Sequence, residues 1–455
     1  MNDPLVWQWA LLVVFGVVFY FIAPHSRTVA EFFAAKAPGG RTPGVALLTS
    51  SLVISWIFAK SITNAANLGL AFGLIGGVAY AVYYGSFIVG GWVIYRMRQK
   101  GDFASIHQFL QPRFGRGAVV VFSLLIGIRL FNEVWSNTMV IGSYFGDAGS
   151  SEYYMAILGF TGLTLAYALK GGLRSSLLTD AIQLVFFGVL LVVLLAWILP
   201  TNPASVGDMW QSGDWTMALG GNLLFAALIQ IFSYPFHAPV LTDRGFIAPP
   251  KTTLKSYLLA GGIGFVCILA FSFLGIAGRF AGVEGQAAVE MGKLLGVAGM
   301  LLVNFIMITS AASTLDSTFA AFSKLMVVDL AGKRAVTVKR GRLVMIALVV
   351  LGTLPVFANP EILSATTVSG TMIIGLAPVF VLWNRPAPAA SFHLSVGFGL
   401  LIGLLLVFDQ FPEALTFTTG KYASLLWANF WGTLGCFILF EFGRLMSWKK
   451  QTSNP

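Results

Sequence analysis

Apolar runs long enough to cross a bilayer, about 20 residues each, recur thirteen times along the chain, with short polar stretches between them. They cover roughly 5–24, 43–70, 74–95, 117–144, 152–169, 176–199, 216–242, 256–278, 294–328, 342–358, 361–384, 389–408 and 422–443. Length and continuous apolarity mark each as a membrane helix rather than a strand. Two stretches are less regular. The 43–95 region is nearly continuous and is divided only by "GLAFGLIGG", and 294–328 is too long for one straight span, so it begins outside the bilayer. The pattern predicts an all-α integral membrane protein.

Composition agrees. Of 455 residues, 57% are hydrophobic and only 10% charged, against about 25% charged in soluble domains. The net charge of +10 would suggest nucleic acid in a soluble protein, but here the placement of the charges explains it. With the N-terminus outside, 22 of the 28 basic residues fall in segments facing the cytoplasm, as the positive-inside rule requires. The opposite side holds Arg279, Lys293 and Lys421, and Lys324 lies near a cytoplasmic helix end where it can snorkel. Lys60 and Arg129 remain, both deep within spans. The opening "MNDPLVWQWALLVVFGVVFYFIA" lacks a basic leader and a small-residue cleavage site, so it is expected to stay as the first span. The C-terminal "SWKKQTSNP" is expected in the cytoplasm. Cys267 and Cys436 lie far apart in apolar runs and are expected as buried thiols without a disulfide, and no Cys/His spacing suggests a metal. Loops are short, which argues against an appended signalling module or an aqueous catalytic domain. HExxH, GxSxG and paired metal motifs are missing from the spans, so an enzyme is not expected.

One span is unusually polar. "SAASTLDSTFAAF", 310–322, carries three serines, two threonines and an aspartate. At 100° per residue, Ser310, Ser313, Thr314 and Ser317 share one helix face, with Asp316 one residue off it. Small hydroxyls also serve helix packing. A carboxylate within a bilayer, however, costs several kcal/mol unless it is paired, protonated or facing water. Hydroxyls beside a carboxylate offer only oxygens, which suit a hard cation such as Na+. A second polar stretch, "YALKGGLRSSLLTDAIQ" at 167–183, joins two spans through a Gly-Gly pair and puts Asp180 about one turn inside the next helix. An acidic helix start favoured by the dipole explains that position equally well.

Four segments together resemble the sodium/solute symporter family: "GGLRSSLLTDAIQ", "ASTLDSTFAAFSKLMVVDL", "SWIFAKSI" and "APVLTDRGFIA". The resemblance covers nearly the whole chain. It implies a five-plus-five inverted-repeat core (the LeuT-like fold), in which broken helices hold substrate at mid-membrane. The repeats would be 43–199 and 200–385, with residues 1–42 forming a first helix and loop and 386–455 two peripheral helices and a tail. The resemblance further implies coupling of solute uptake to Na+. The main ion site would join carbonyls at Ser50 and Val53 to Ser310, Ser313 and Thr314. A second cation site would use Asp180, Ser313, Asp316 and Ser317. Two carboxylates there either strengthen the site or leave one holding a proton, since like charges oppose joint ionisation.

The solute site is less defined. Lys60 either pairs with Glu133, faces an external vestibule or contacts a carboxylate substrate. Arg129 and Glu133, four apart, can pair on one helix face, while "RLFNEVWSN" adds Asn132, Ser136 and Asn137 at mid-depth. In "LIQIFSYPFHAPV", Gln230, Ser233, Tyr234 and His237 stand among two prolines that suit a broken helix. His237 reads as a satisfied interfacial residue rather than a proton relay. Trp56 and Tyr234 could wall a pocket. "SWIFAK" lacks the acidic and amide residues of sugar-transporting relatives, so an amino acid such as proline, or a monocarboxylate, is expected over a sugar. The expected partners are a small organic solute, Na+ and the lipid bilayer, with no cofactor, no nucleic acid and no obligatory protein partner. The expected location is a bacterial plasma (inner) membrane. Proton coupling on the same fold, or a solute sensor that no longer transports, are the alternatives.

Overall fold

The computed structural model describes residues 4–37, 39–331, 336–358 and 369–452. The apolar runs fold as helices whose ends are set by small polar residues and glycines. Helix α1 (Pro4–Ile22) leads to α2 (Val29–Ala34). A capping box starts α2: Thr28 Oγ1 accepts from the Glu31 amide at 3.2 Å and Glu31 Oε2 accepts from the Thr28 amide at 3.3 Å. The next run is broken. Helices α3 (Val45–Ile54) and α4 (Ala59–Phe72) meet at a 60° bend. Gly73 then turns the chain at φ +70, and the Leu74 amide donates to the Ser212 carbonyl at 3.0 Å. A Cβ at Gly73 would come within 2.6 Å of that carbonyl oxygen, so the turn requires glycine.

Helices α5 (Leu74–Ala81) and α6 (Gly85–Lys100) are joined by a single tight turn, Val82–Tyr84. Then come α7 (Ile106–Gly142), α8 (Ser151–Thr201), α9 (Val206–Trp210), α10 (Asn222–Gln230) and α11 (Pro239–Arg244). They are followed by α12 (Pro250–Phe280), α13 (Ala287–Leu294), α14 (Gly296–Lys324) and α15 (Val338–Thr353). The last three are α16 (Leu376–Val381), α17 (Ala389–Val407) and α18 (Ala423–Thr452).

Among the described residues, nine helices are long and apolar enough to span a bilayer, ten with the bent pair. The chain is a multi-pass, all-α membrane protein. The expected thirteen spans are not recovered one for one, for identifiable reasons. The 152–169 and 176–199 runs join in α8 across Gly172, which sits at φ 56 and ψ −136. The 216–242 run breaks into α10, a 3-10 turn at Tyr234–His237 and α11, as Pro235 and Pro239 favour. The first eight residues of the 361–384 run lie outside the described residues.

The chain divides into two compact units. One comprises Met1–Ala81, Leu130–Asp214 and Gly262–Ile362. Its helices α4 and α12 approach so closely that a Cβ on Gly275 would lie 1.7 Å from the Ala66 carbonyl oxygen. The other comprises Val82–Arg129, Trp215–Gly261 and Leu363–Pro455. Its core is aromatic, with Phe236 stacked on Phe380 at 4.2 Å, beside an apolar cluster of Ile374, Ile402, Ala428 and Cys436. Cys436 is buried as expected, but Cys267 is partly exposed. Its apolar run faces outward there, and that exposure corrects the expectation of two buried thiols.

Candidate functional site

Three helices of the first unit, α3, α8 and α14, converge on one carboxylate. Asp180 is fully buried. Its Oδ2 accepts from Ser51 Oγ at 2.5 Å, from Ser55 Oγ at 3.2 Å and from Ser176 Oγ at 3.4 Å. Its Oδ1 accepts from Ser313 Oγ. Asp316, only 1% exposed, accepts from Thr179 Oγ1 at 2.9 Å and from Ser317 Oγ at 3.3 Å. Ser317 ties the two together, lying 2.8 Å from Ser176 Oγ and 3.1 Å from Ser55 Oγ. The two carboxylates are linked through Ser176, which donates to Asp180, and Ser317, which donates to Asp316. Two carboxylates and six hydroxyls therefore share one buried, all-oxygen site. A cation or a proton there offsets the repulsion between the acids.

Local structure explains the convergence. On α8, Ser176, Thr179, Asp180 and Gln183 recur at helical spacing and face one way. On α14 the hydroxyl face from 310 to 317 is fully buried. On α3, Ser51 and Ser55 are one turn apart at the end of the half-helix. Every side-chain donor gathered here is an oxygen, the ligand type hard cations prefer.

The sequence-predicted site residues divide. Ser313, Asp316, Ser317 and Asp180 come together. Ser310 Oγ donates to the Ile57 carbonyl, within the break between α3 and α4. Thr314 Oγ1 turns back to the Ser310 carbonyl at 3.0 Å. The Val53 carbonyl accepts from the amides of Trp56 and Ile57 at 3.2 and 3.0 Å. Ser50 is half-buried, and among the described residues its side chain makes no hydrogen bond with this set; the neighbouring Ser51 does. Sequence reasoning missed Ser51, Ser55, Ser176 and Thr179.

In the same unit, Lys60 Nζ lies 2.8 Å from Glu133 Oε2, with both side chains buried. Lys60 also donates to Ser136 Oγ at 3.2 Å and Asn132 Oδ1 at 3.4 Å. Asn137 Nδ2 donates to the same Glu133 oxygen at 3.0 Å. Trp56 is buried nearby, edge-on to Phe58 at 6.3 Å.

In the second unit, Arg129 donates to Tyr234 Oη at 3.2 Å and engages His237 Nε2 at 3.0 Å. Its guanidinium sits 4.9 Å from the Tyr234 ring centre. Because Arg129 can only donate, Nε2 accepts, and the proton of a neutral His237 sits on Nδ1, facing the Tyr234 carbonyl at 2.8 Å. The expectation of a satisfied His237 matches this geometry. Gln230 accepts from Tyr83 Oη at 2.7 Å and donates to Asn429 Oδ1 at 3.0 Å and Thr371 Oγ1 at 3.3 Å. Both ends of that amide are thus engaged within the protein.

No family model matches the sequence. A rice urea-proton symporter, DUR3, is 22% identical over 479 residues, covering 89% of this chain and 64% of its own length. The mouse sodium/myo-inositol cotransporter 2 is 27% identical, over 36% of this chain and 25% of the cotransporter. The yeast urea active transporter is 22% identical over 51% of this chain and 34% of its own length. The chain therefore spans less than two thirds of the length of these relatives. Among solved structures, a Na+-coupled sialic acid symporter in a substrate-bound outward-open state superposes with a TM-score of 0.68 at 13% identity, covering 96% of this chain and 97% of that one. The nucleobase-cation-symport-1 transporter Mhp1, closed around bromovinylhydantoin, gives 0.59 at 14% identity and 94% and 95% coverage. The architecture is the LeuT-like fold of these solved transporters. Its homologues are transporters of the sodium/solute symporter family.

Proposed function

We propose that this protein is a secondary active transporter that couples uptake of a small organic solute to Na+ by alternating access. The observation that carries the reading is the buried cluster of Asp180, Asp316 and six hydroxyls between α3, α8 and α14. The Ser51, Ser55 and Ser313 hydroxyls donate to Asp180. Na+ entering the cluster turns the hydroxyls so that their lone pairs face it, while Asp180 supplies the compensating charge. The ion then bridges three helices. A ligand that bridges them in one conformation and not in another shifts the population toward the first. Solute that prefers the same conformation binds more tightly in turn, and the coupling is reciprocal. The inverted repeats at 43–199 and 200–385 are part of this proposal, as is a plasma-membrane location with the N-terminus outside.

The solute class follows from the polar groups at mid-depth. An amino acid such as proline, or a monocarboxylate, remains favoured over a sugar, because "SWIFAK" carries no acidic or amide side chain. Lys60 lies against Glu133, so a substrate carboxylate reaching it would compete with that buried partner. Urea, named for two of the relatives, belongs in the same screen.

A second reading, proton coupling, is favoured by two observations: Asp316 adds a second carboxylate to the cluster around Asp180, and a relative is named as a proton symporter. One experiment separates the two. Thermal unfolding of the purified protein is followed in NaCl and in choline chloride at equal ionic strength, across pH. A bound ion stabilises by mass action. A sodium-specific rise in Tm that is lost in Ser313→Ala supports Na+ coupling. No sodium shift, with Tm rising on acidification in wild type and not in Asp316→Asn, supports the proton.

A further inference from the structure

The second unit carries two cavities that share Phe232 and Val381 in their walls. The larger, about 630 Å³, is lined almost wholly by apolar side chains, among them Phe225, Leu228, Trp427 and Phe430. The smaller, about 430 Å³, has a different chemistry. It runs along α6 past Ile88 and Val89 to Arg96 and Lys100, with Trp383 and Asn384 also in its wall. Sharing those two residues, Phe232 and Val381, the cavities adjoin as an apolar end and a cationic end.

The two cations are distinctive. Arg98, between them in sequence, is spent on the carbonyls of Gly245 and Ala248 at 2.8 and 2.7 Å and on Thr253 Oγ1 at 3.1 Å. Arg113 likewise donates to the carbonyls of Trp383 and Arg385. Among the described residues, Arg96 and Lys100 have no carboxylate partner; Arg96 rests on the face of Trp92, 5.2 Å from its ring centre. Both stand at the end of α6, which the positive-inside pattern puts at the cytoplasmic surface. Trp92 and Trp383 line the same cavity, and tryptophan is enriched at membrane–water interfaces.

We propose that this groove is a binding site for an anionic glycerophospholipid. The headgroup phosphate is held by Arg96 and Lys100 and an acyl chain lies along Ile88, Phe232 and Val381 toward Phe225 and Phe430. Charge complementarity selects the occupant: two cations without carboxylate partners, set where lipid phosphates lie, at the mouth of a groove whose remaining wall suits hydrocarbon. Guanidinium and ammonium groups bind phosphate through charge-assisted hydrogen bonds, and basic pockets between membrane helices on the cytoplasmic side take acidic headgroups. The inference does not depend on which ion drives transport.

The full-length protein in detergent is titrated with dioleoyl phosphatidylglycerol or dioleoyl phosphatidylcholine, and Tm is followed. Phosphatidylglycerol raises Tm more than phosphatidylcholine does. Arg96→Gln/Lys100→Gln removes at least about half of that difference, while Arg116→Gln/Lys251→Gln, two exposed cations outside the groove, keeps it. Equal responses to the two lipids, or equal loss in both double variants, overturn the proposal. A second readout holds if the first double variant does not fold. A fluorophore on Val381→Cys in a Cys267→Ala background is quenched by phosphatidylglycerol with brominated chains about twofold more than by the phosphatidylcholine analogue at equal mole fraction. Equal quenching rejects the site.

Discussion

Ser51 Oγ donates to Asp180 Oδ2 at 2.5 Å, joining residues 129 positions apart in the chain. That bond links a half-helix to the carboxylate on which two other helices close. If the cluster holds the coupling ion, Asp180→Asn removes its fixed charge while keeping its size. The expected outcome is loss of the sodium-dependent rise in Tm and at least a tenfold weaker apparent sodium affinity in uptake, equivalent to about 1.4 kcal/mol. Sodium dependence unchanged in that variant would remove the site.

Ser51→Ala tests the same cluster from α3. It removes one oxygen ligand and leaves the charge. Apparent sodium affinity should fall by about three- to tenfold, the scale of one hydrogen-bonding group next to a charge, with maximal uptake preserved at saturating sodium. Ser50→Ala, one residue away, should leave it within about twofold, because Ser51 rather than Ser50 touches Asp180.

Lys60 and Glu133 form a buried pair at 2.8 Å. Lys60→Met leaves a buried carboxylate without that partner and should destabilise the protein by about 3–5 kcal/mol. Lys60→Met/Glu133→Gln removes both charges and should recover most of the loss in thermal unfolding. If Lys60 also meets a substrate carboxylate, the double variant folds yet still shows weakened apparent affinity for an acidic solute. Normal affinity confines Lys60 to a structural role.

Glu31 lies outside the spans, where the amides of Arg27 and then Thr28 donate to its carboxylate and Arg174 adds a weaker attraction. These hold its pKa below the ordinary 4.5. A carboxyl whose pKa is depressed by folding contributes stability above its ordinary value and loses that contribution as pH falls through the folded value. The Tm difference between wild type and Glu31→Gln should therefore be flat from about pH 5.5 to 7 and shrink below about pH 4.5. A difference constant across that range rejects the linkage.

Much of this was legible in the primary structure. Uninterrupted apolarity revealed the multi-pass, all-α membrane architecture, and the charge asymmetry supplied an expected orientation. The 310–317 face was visible because four hydroxyls repeat with helical spacing next to a carboxylate. Ser176 and Thr179 were within reach by the same test, since they share Asp180's face, but a Gly-Gly loop followed by an acidic helix start explains that stretch equally well. Ser51 and Ser55 were harder. The break that exposes them, 55–58, reads "SWIF" and contains neither Gly nor Pro, whereas the break at 234–238 carries Pro235. Partner choice among Lys60, Arg129 and Glu133 depends on which helices face one another, and one-dimensional spacing holds no record of that.

The bend between α3 and α4 has an electrical consequence. Each half-helix carries a partial charge at its interrupted end, negative where α3 stops and positive where α4 begins. The α3 end bears Ser51 and Ser55 against Asp180. At the α4 end the Lys60 amide faces Asn137 Oδ1 at 3.4 Å, and Phe58 supplies no side-chain cap. One interrupted span thus presents opposite polarities to its surroundings over four residues. A cation is drawn to one terminus and an anionic group to the other, so a cation and an acidic solute at this bend would attract each other across it, and neutral solutes would forgo that mutual attraction.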